Sequence, residues 1–128
     1  MVMKALIFDC DGVLVDTERD GHRVAFNQAF LDFGIETEWG VDLYGKLLKR
    51  VSGGKERLHL YFNETGWPQD AGDDRDGYVA RFHAHKSTLF QQLVRDGALS
   101  LRPGINRITD EARAAGMKLA VCTTARLE

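Results

Sequence analysis

Two aspartates separated by one residue, Asp9 and Asp11, directly follow the apolar run Met3-Lys4-Ala5-Leu6-Ile7-Phe8. A short, nearly continuous apolar run is the pattern of a strand buried on both faces of a parallel sheet. Ligands in open α/β sheets bind beyond the carboxyl ends of such strands. A spacing of two lets both carboxylates face one crevice while Cys10 points away. Two carboxylates brought together repel each other unless a cation intervenes. The pair therefore suits a Mg²⁺ ion, which takes hard oxygen ligands. It also suits a division of labour, with one Asp as nucleophile and the other as general acid/base. The plain alternative is a solvated turn or a helix cap. A calcium-binding EF-hand loop fits poorly, because Val13 and Leu14 stand where a ligand and a glycine are needed.

The elements that must position this pair follow from the spacing of apolar residues. Phe26, Ala29, Phe30 and Phe33 recur at helical intervals, which predicts a helix from about Glu18 to Phe33 with Gly34 as its stop. Val41 to Arg50 and Lys55 to Phe62 read as two further helices, separated by the turn Val51-Ser52-Gly53-Gly54. Gln69 to Asp76 is acidic and glycine-containing, and is expected to be an exposed loop. Tyr78, Phe82, His85, Leu89 and Leu93 mark one face of a long helix ending near Asp96. Arg102-Pro103-Gly104 opens the next helix, since proline is tolerated in a first helical turn. Met117 to Cys122 is a second apolar strand, followed at once by Thr123 and Thr124.

Strands at both ends with a helical block between them predict an α/β fold. The expected architecture is a partial Rossmann-like core of two parallel strands and a flanking helix, residues 1–15 and 100–128, with an inserted α-helical cap, residues 16–99.

Within the cap, Gly53-Gly54 opens a helix and so offers backbone N–H groups and a positive dipole end to an anion. Lys55 and Arg57 add charge and donors suited to a second phosphate. Their plain alternative is an ordinary charged surface helix. Glu18 and His22, one turn apart, are placed to contact sugar hydroxyls, or else to form a solvated face or a packed histidine. Tyr44 is assigned to cap packing, and His59, His83 and His85 to structural or surface roles.

Composition narrows the function classes. The chain has 128 residues, 44% of them hydrophobic and 28% charged, with a formal net charge of −2. That is the size of about one domain. The charge balance argues against nucleic acid or a membrane surface as partner. No apolar run approaches the ~20 residues that span a bilayer, and the interrupted N-terminal run is not a signal peptide. Two cysteines, Cys10 and Cys122, suggest free thiols in a reducing, cytoplasmic setting.

The string Asp9-x-Asp11-Gly12-Val13-Leu14-x-Asp16-Thr17 resembles the first motif of the haloacid dehalogenase-like (HAD) phosphohydrolases. The resemblance implies that Asp9 attacks phosphorus, and that Asp11 protonates the leaving group and then activates water. It also implies that Mg²⁺ binds the Asp9 carboxylate and the Asp11 backbone carbonyl. Thr123 matches the second motif, a hydroxyl that binds a phosphoryl oxygen, and Thr124 is placed to share that contact. The strings from Asp16 to Arg23, Val41 to Gly45, Gly53-Gly54-Lys55-Glu56-Arg57 and Leu101 to Ile105 resemble the CbbY-like subgroup, which is similar to the β-phosphoglucomutases. That resemblance implies a sugar-phosphate phosphatase, with xylulose-1,5-bisphosphate as a candidate substrate.

The expected alternatives are a phosphomutase of the β-phosphoglucomutase type and a non-catalytic HAD fragment. A phosphorylation-switch receiver is disfavoured, because it has no helical insertion of this size. The resemblance covers only an N-terminal half. It lacks the later lysine and carboxylates of the family, so the chain alone is expected to be inactive. Its uncovered strand edge is expected to drive self-association.

Overall fold

The computed structural model describes residues 2–124. Two parallel strands, β1 (Ala5–Phe8) and β2 (Lys118–Val121), pair in the register Leu6 with Leu119 and Phe8 with Val121. Between them run a π-turn (Thr17–His22) and five α-helices. These are α1 (Arg23–Asp32), α2 (Val41–Arg50), α3 (Gly54–Thr65), α4 (Arg75–Arg95) and α5 (Ile105–Ala114). The chain is thus an α/β fold with a helical insertion between two parallel strands.

The insertion has its own core. Phe26 and Phe30 on α1 meet Phe82 on α4, Phe62 on α3 and Trp39 from the preceding loop, all at most 1% exposed. Each such ring contributes roughly 1.5–3 kcal/mol by leaving water. Asn27 fixes the Trp39 loop by pairing with its backbone in both directions, at 2.8 and 3.0 Å. Asp74 caps α4 by accepting from the Gly77 N–H at 2.9 Å.

Three local details differ from the sequence expectation. The first helix does not run regularly from Glu18. It opens with a π-turn in which the Arg23 N–H donates to the Glu18 carbonyl five residues back, and the α-helix starts only at Arg23. Pro103 lies before α5 rather than in its first turn, because Gly104 is the N-cap. The expected loop from Gln69 holds a short 3₁₀ turn, Gln69–Ala71, that buries Ala71.

The sheet is less covered than the insertion. Leu6, Phe8, Leu119 and Val121 share one face by register. Phe8, Leu119 and Val121 line a depression of about 360 Å³ together with Leu14, Leu101 and Ile105. On the opposite face Ile7 is 70% exposed. Among the described residues no helix is long and apolar enough to cross a membrane.

Candidate active site

Beyond Phe8 the chain curls tightly. The Cys10 carbonyl accepts from the N–H of Leu14 at 2.9 Å, and the Gly12 N–H donates to Val15 at 2.7 Å. Gly12 has φ of 76°, a left-handed conformation that glycine adopts without penalty. Arg102 clamps the curl from the far end of the insertion. Its N–H donates to the Leu14 carbonyl and its guanidinium to the Gly12 carbonyl, at 2.8 and 2.7 Å. Both chain passages between sheet and insertion are therefore tied together beside Asp9 and Asp11.

Asp9 Oδ1 accepts from the Cys10 N–H at 2.7 Å. Asp11 Oδ1 accepts from the Thr17 hydroxyl at 2.9 Å, and Thr17 is buried. The Cys122 N–H donates to the Phe8 carbonyl at 2.7 Å, so Thr123 and Thr124 follow β2 at the strand end that carries Asp9. Both threonines are exposed. Asp9 and Asp11 offer hard oxygen donors at a solvent-open edge, which fits a Mg²⁺ ion bound through one or two carboxylates. Among the described residues no cluster of three or more metal-ligating side chains forms.

The helical insertion contributes a second group of polar side chains. Glu18 Oε2 accepts from the Tyr44 hydroxyl at 2.7 Å, and that hydroxyl oxygen also accepts from Arg57 at 3.3 Å. Burial, reinforced by the carboxylate of Glu18, drives the Tyr44 phenol well above its ordinary value, so it remains a donor. His22 turns the other way, toward α4, where its Nδ1 lies 2.7 Å from Lys86 Nζ. Burial, with the Lys86 ammonium beside it, holds His22 down at about 4. Burial also lowers Lys86 to about 8. At neutral pH the pair is thus an ammonium donating to a neutral imidazole.

The turn at Gly53-Gly54 opens α3 as expected, with Gly53 as its N-cap. A side chain on Gly53 would run into the Glu56 carboxylate, which folds back over the start of α3. Lys55 is exposed. Arg57 is only 2% exposed, and it donates to the carbonyls of Val51 and Ser52 at 3.3 and 3.0 Å. Its Nε is buried with no partner among the described residues.

The structure therefore gathers Asp9, Asp11, Thr123 and Thr124 at the strand ends. It joins Glu18 and His22 to them through the π-turn that Thr17 begins. Tyr44, assigned to packing by sequence, also bridges Glu18 and Arg57. Lys86 was missed altogether. Its signal is a lysine on the inward stripe of α4, one turn after Phe82 and one before Phe90, where an apolar residue is expected.

A family model described as a haloacid dehalogenase-like hydrolase matches residues 3–128. The chain belongs to that family. This HAD chain is 50% identical over 123 residues to a CBBY-like protein of Arabidopsis thaliana, covering 94% of the chain and 38% of that protein. It superimposes on the crystal structure of CbbY from Rhodobacter sphaeroides in complex with phosphate, with a TM-score of 0.65 and 37% identity. That match covers 98% of this chain and 53% of the other. A mutant of the same Rhodobacter protein, crystallised in complex with xylulose-(1,5)bisphosphate, matches equally well, with a TM-score of 0.65 and 36% identity. The HAD chain thus spans between 38% and 53% of the length of these relatives.

Proposed function

We propose that the full-length protein is a Mg²⁺-dependent phosphatase of sugar phosphates, with xylulose-1,5-bisphosphate as the leading substrate. The observation that carries this reading is the Thr17–Asp11 hydrogen bond. It ties one of two strand-end aspartates to the turn bearing Glu18 and His22, so the acid/base group and the cap wall are set by one segment. The Rhodobacter complex supports the choice of sugar bisphosphate.

In this reading Asp9 attacks phosphorus and forms an aspartyl-phosphate, while Asp11 gives its proton to the departing sugar oxygen. Asp11 then takes a proton from the water that cleaves the aspartyl-phosphate, which regenerates both side chains. The Asp9 carboxylate and the Asp11 backbone carbonyl would hold Mg²⁺, whose charge offsets that of the transferring phosphoryl group when bound. Thr123 and Thr124 donate hydroxyls to the phosphoryl oxygens. Glu18 and His22 contact sugar hydroxyls. Lys55 and the Gly53-Gly54 turn face the phosphate that is not transferred, and Arg57 contributes charge from beneath, fixed by its carbonyl contacts. In this proposal residues 16–99 act as the cap over a core formed by 1–15 and 100–128.

The test is incubation of the full-length protein with sugar mono- and bisphosphates, reading free phosphate against isomerised sugar phosphate. Phosphate release that stops on chelation of Mg²⁺ is expected. Isomerised product without phosphate release would make the protein a mutase instead. For the 128 residues alone, the uncovered sheet favours self-association and no turnover, read by a sizing column with an assay across the peak.

A further inference from the structure

His22 is held by two residues of α4 that lie one turn apart. Lys86 meets its edge, with Nζ 2.7 Å from Nδ1. Phe90 covers its face, with ring centroids 3.9 Å apart and an angle of 14° between the planes. The Lys86 ammonium also sits over the rings of Phe26 and Phe90, at 4.6 and 5.5 Å. It therefore has aromatic faces on one side and the imidazole lone pair on the other.

The flat stack needs a gap in the π-turn. Gly21 is buried, and a Cβ on it would lie 2.7 Å from Phe90 Cε2 and 3.2 Å from Leu99 Cδ1. Gly21 is not among the glycines with positive φ, so the close approach of Phe90, not backbone conformation, is what requires it. Leu99 belongs to the return passage from α4 toward the sheet. Phe90 thus lies where the cap, the π-turn and the returning chain meet.

We propose that Phe90 is a positioning residue for the phosphoryl-transfer site: lodged against Gly21, its ring fixes the plane of His22 so that Nδ1 takes the Lys86 hydrogen bond and the imidazole proton stays on Nε2. A neutral histidine has one N–H and one lone pair, and an ammonium can only donate. With Nδ1 occupied as acceptor, His22 presents an N–H donor to a ligand. Glu18, one turn earlier, is an acceptor. Phe90 itself touches no reacting atom. The use of that donor rests on the sugar-phosphate reading, but the tautomer does not.

The charged groups that act on His22 are Lys86 on α4, Arg57 on α3, Glu18 in its own turn and Asp11 in the strand-end curl. Freeing the ring would admit water to it and loosen the Lys86 contact. Both changes move His22 upward from about 4.

The experiment is nitrogen-detected NMR of histidine-labelled chain across pH, on the parent and on F90L, F90Y and G21A. The parent is expected to show His22 as a single Nε2–H tautomer. F90L should give mixed tautomers and a raised midpoint, and F90Y, which keeps the ring, should restore the parent pattern. G21A should reproduce F90L without altering the ring, by pushing it aside. Alanine is a better helix former than glycine, so a G21A chain that stays folded but loses the tautomer isolates the contact. A single Nε2–H tautomer retained in both F90L and G21A would overturn the proposal, as would a protonated Nδ1 in the parent.

In the full-length protein, F90L should raise KM for a sugar bisphosphate about threefold to tenfold, the value of a lost aromatic pair, and F90Y should bring it back toward the parent. If the parent releases no phosphate from any sugar phosphate, the functional reading fails and the NMR result still decides the role of Phe90.

Discussion

Thr17 donates its hydroxyl to Asp11 Oδ1 over 2.9 Å, and the same residue begins the π-turn that carries Glu18 and His22. Removing one partner of a buried hydrogen bond costs ~1–3 kcal/mol. Thr17→Val keeps the shape of this buried side chain and removes only the donor. It should lower kcat of the full-length protein by about 10–100-fold, with Thr17→Ser close to the parent. An unchanged rate in the valine variant would mean that Thr17 only packs.

Asp9→Asn should abolish turnover, since an amide neither attacks phosphorus nor ligates Mg²⁺ well. Asp11→Asn should cost ~10²–10⁴-fold, the usual value of general acid–base catalysis. Steady-state phosphate release decides both, and a parent-like rate in either overturns the assigned chemistry.

Tyr44→Phe removes the hydroxyl that lies between Glu18 and Arg57. Arg57 is buried and already has Nε without a partner among the described residues, so the loss falls on a group with little compensation. A stability decrease of about 1–3 kcal/mol is expected in urea unfolding. A midpoint unchanged from the parent would show that water replaces the hydroxyl at no cost.

Acidification should weaken the fold through His22. In the unfolded chain this group protonates near 6.5, and in the folded chain near 4. Between those values the unfolded state binds more protons, so this contribution to stability grows as pH rises through the window and is lost as pH falls. Lys86 behaves the same way between about 8 and 10.5, where its folded form has already given up the proton. The urea midpoint measured from pH 4 to 6.5 should climb less steeply in His22→Gln. Equal slopes would place the pH dependence elsewhere.

Lys55 is exposed at the start of α3, away from the aspartates in sequence. Lys55→Ala should weaken use of a sugar bisphosphate while leaving p-nitrophenyl phosphate nearly unaffected. Equal losses on both substrates would make Lys55 a folding or closure residue.

The sequence by itself determined the strands, the long helices and the aspartate pair. Each is written in local terms: an apolar run, a helical period, or two acids at a strand end. The interrupted start of the first helix was not legible in this way. Glu18 and His22 sit four apart, which reads as one shared face. In the π-turn one goes to Tyr44 and the other to Lys86.

Only the tertiary structure decided which charges are spent and which remain to meet a ligand. Arg57 looked like a free phosphate arm, but it is buried on the carbonyls of Val51 and Ser52. Lys86 carried no assignment in the sequence, yet it is 4% exposed and aimed at His22. The reason is physical. A helical period states which face of α4 turns inward, whereas the partner of a buried charge lies 64 residues away in sequence and is fixed only when α1 packs on α4. Local spacing sets secondary structure, but long-range packing sets the dielectric and the partner, and those govern what an ionisable side chain does.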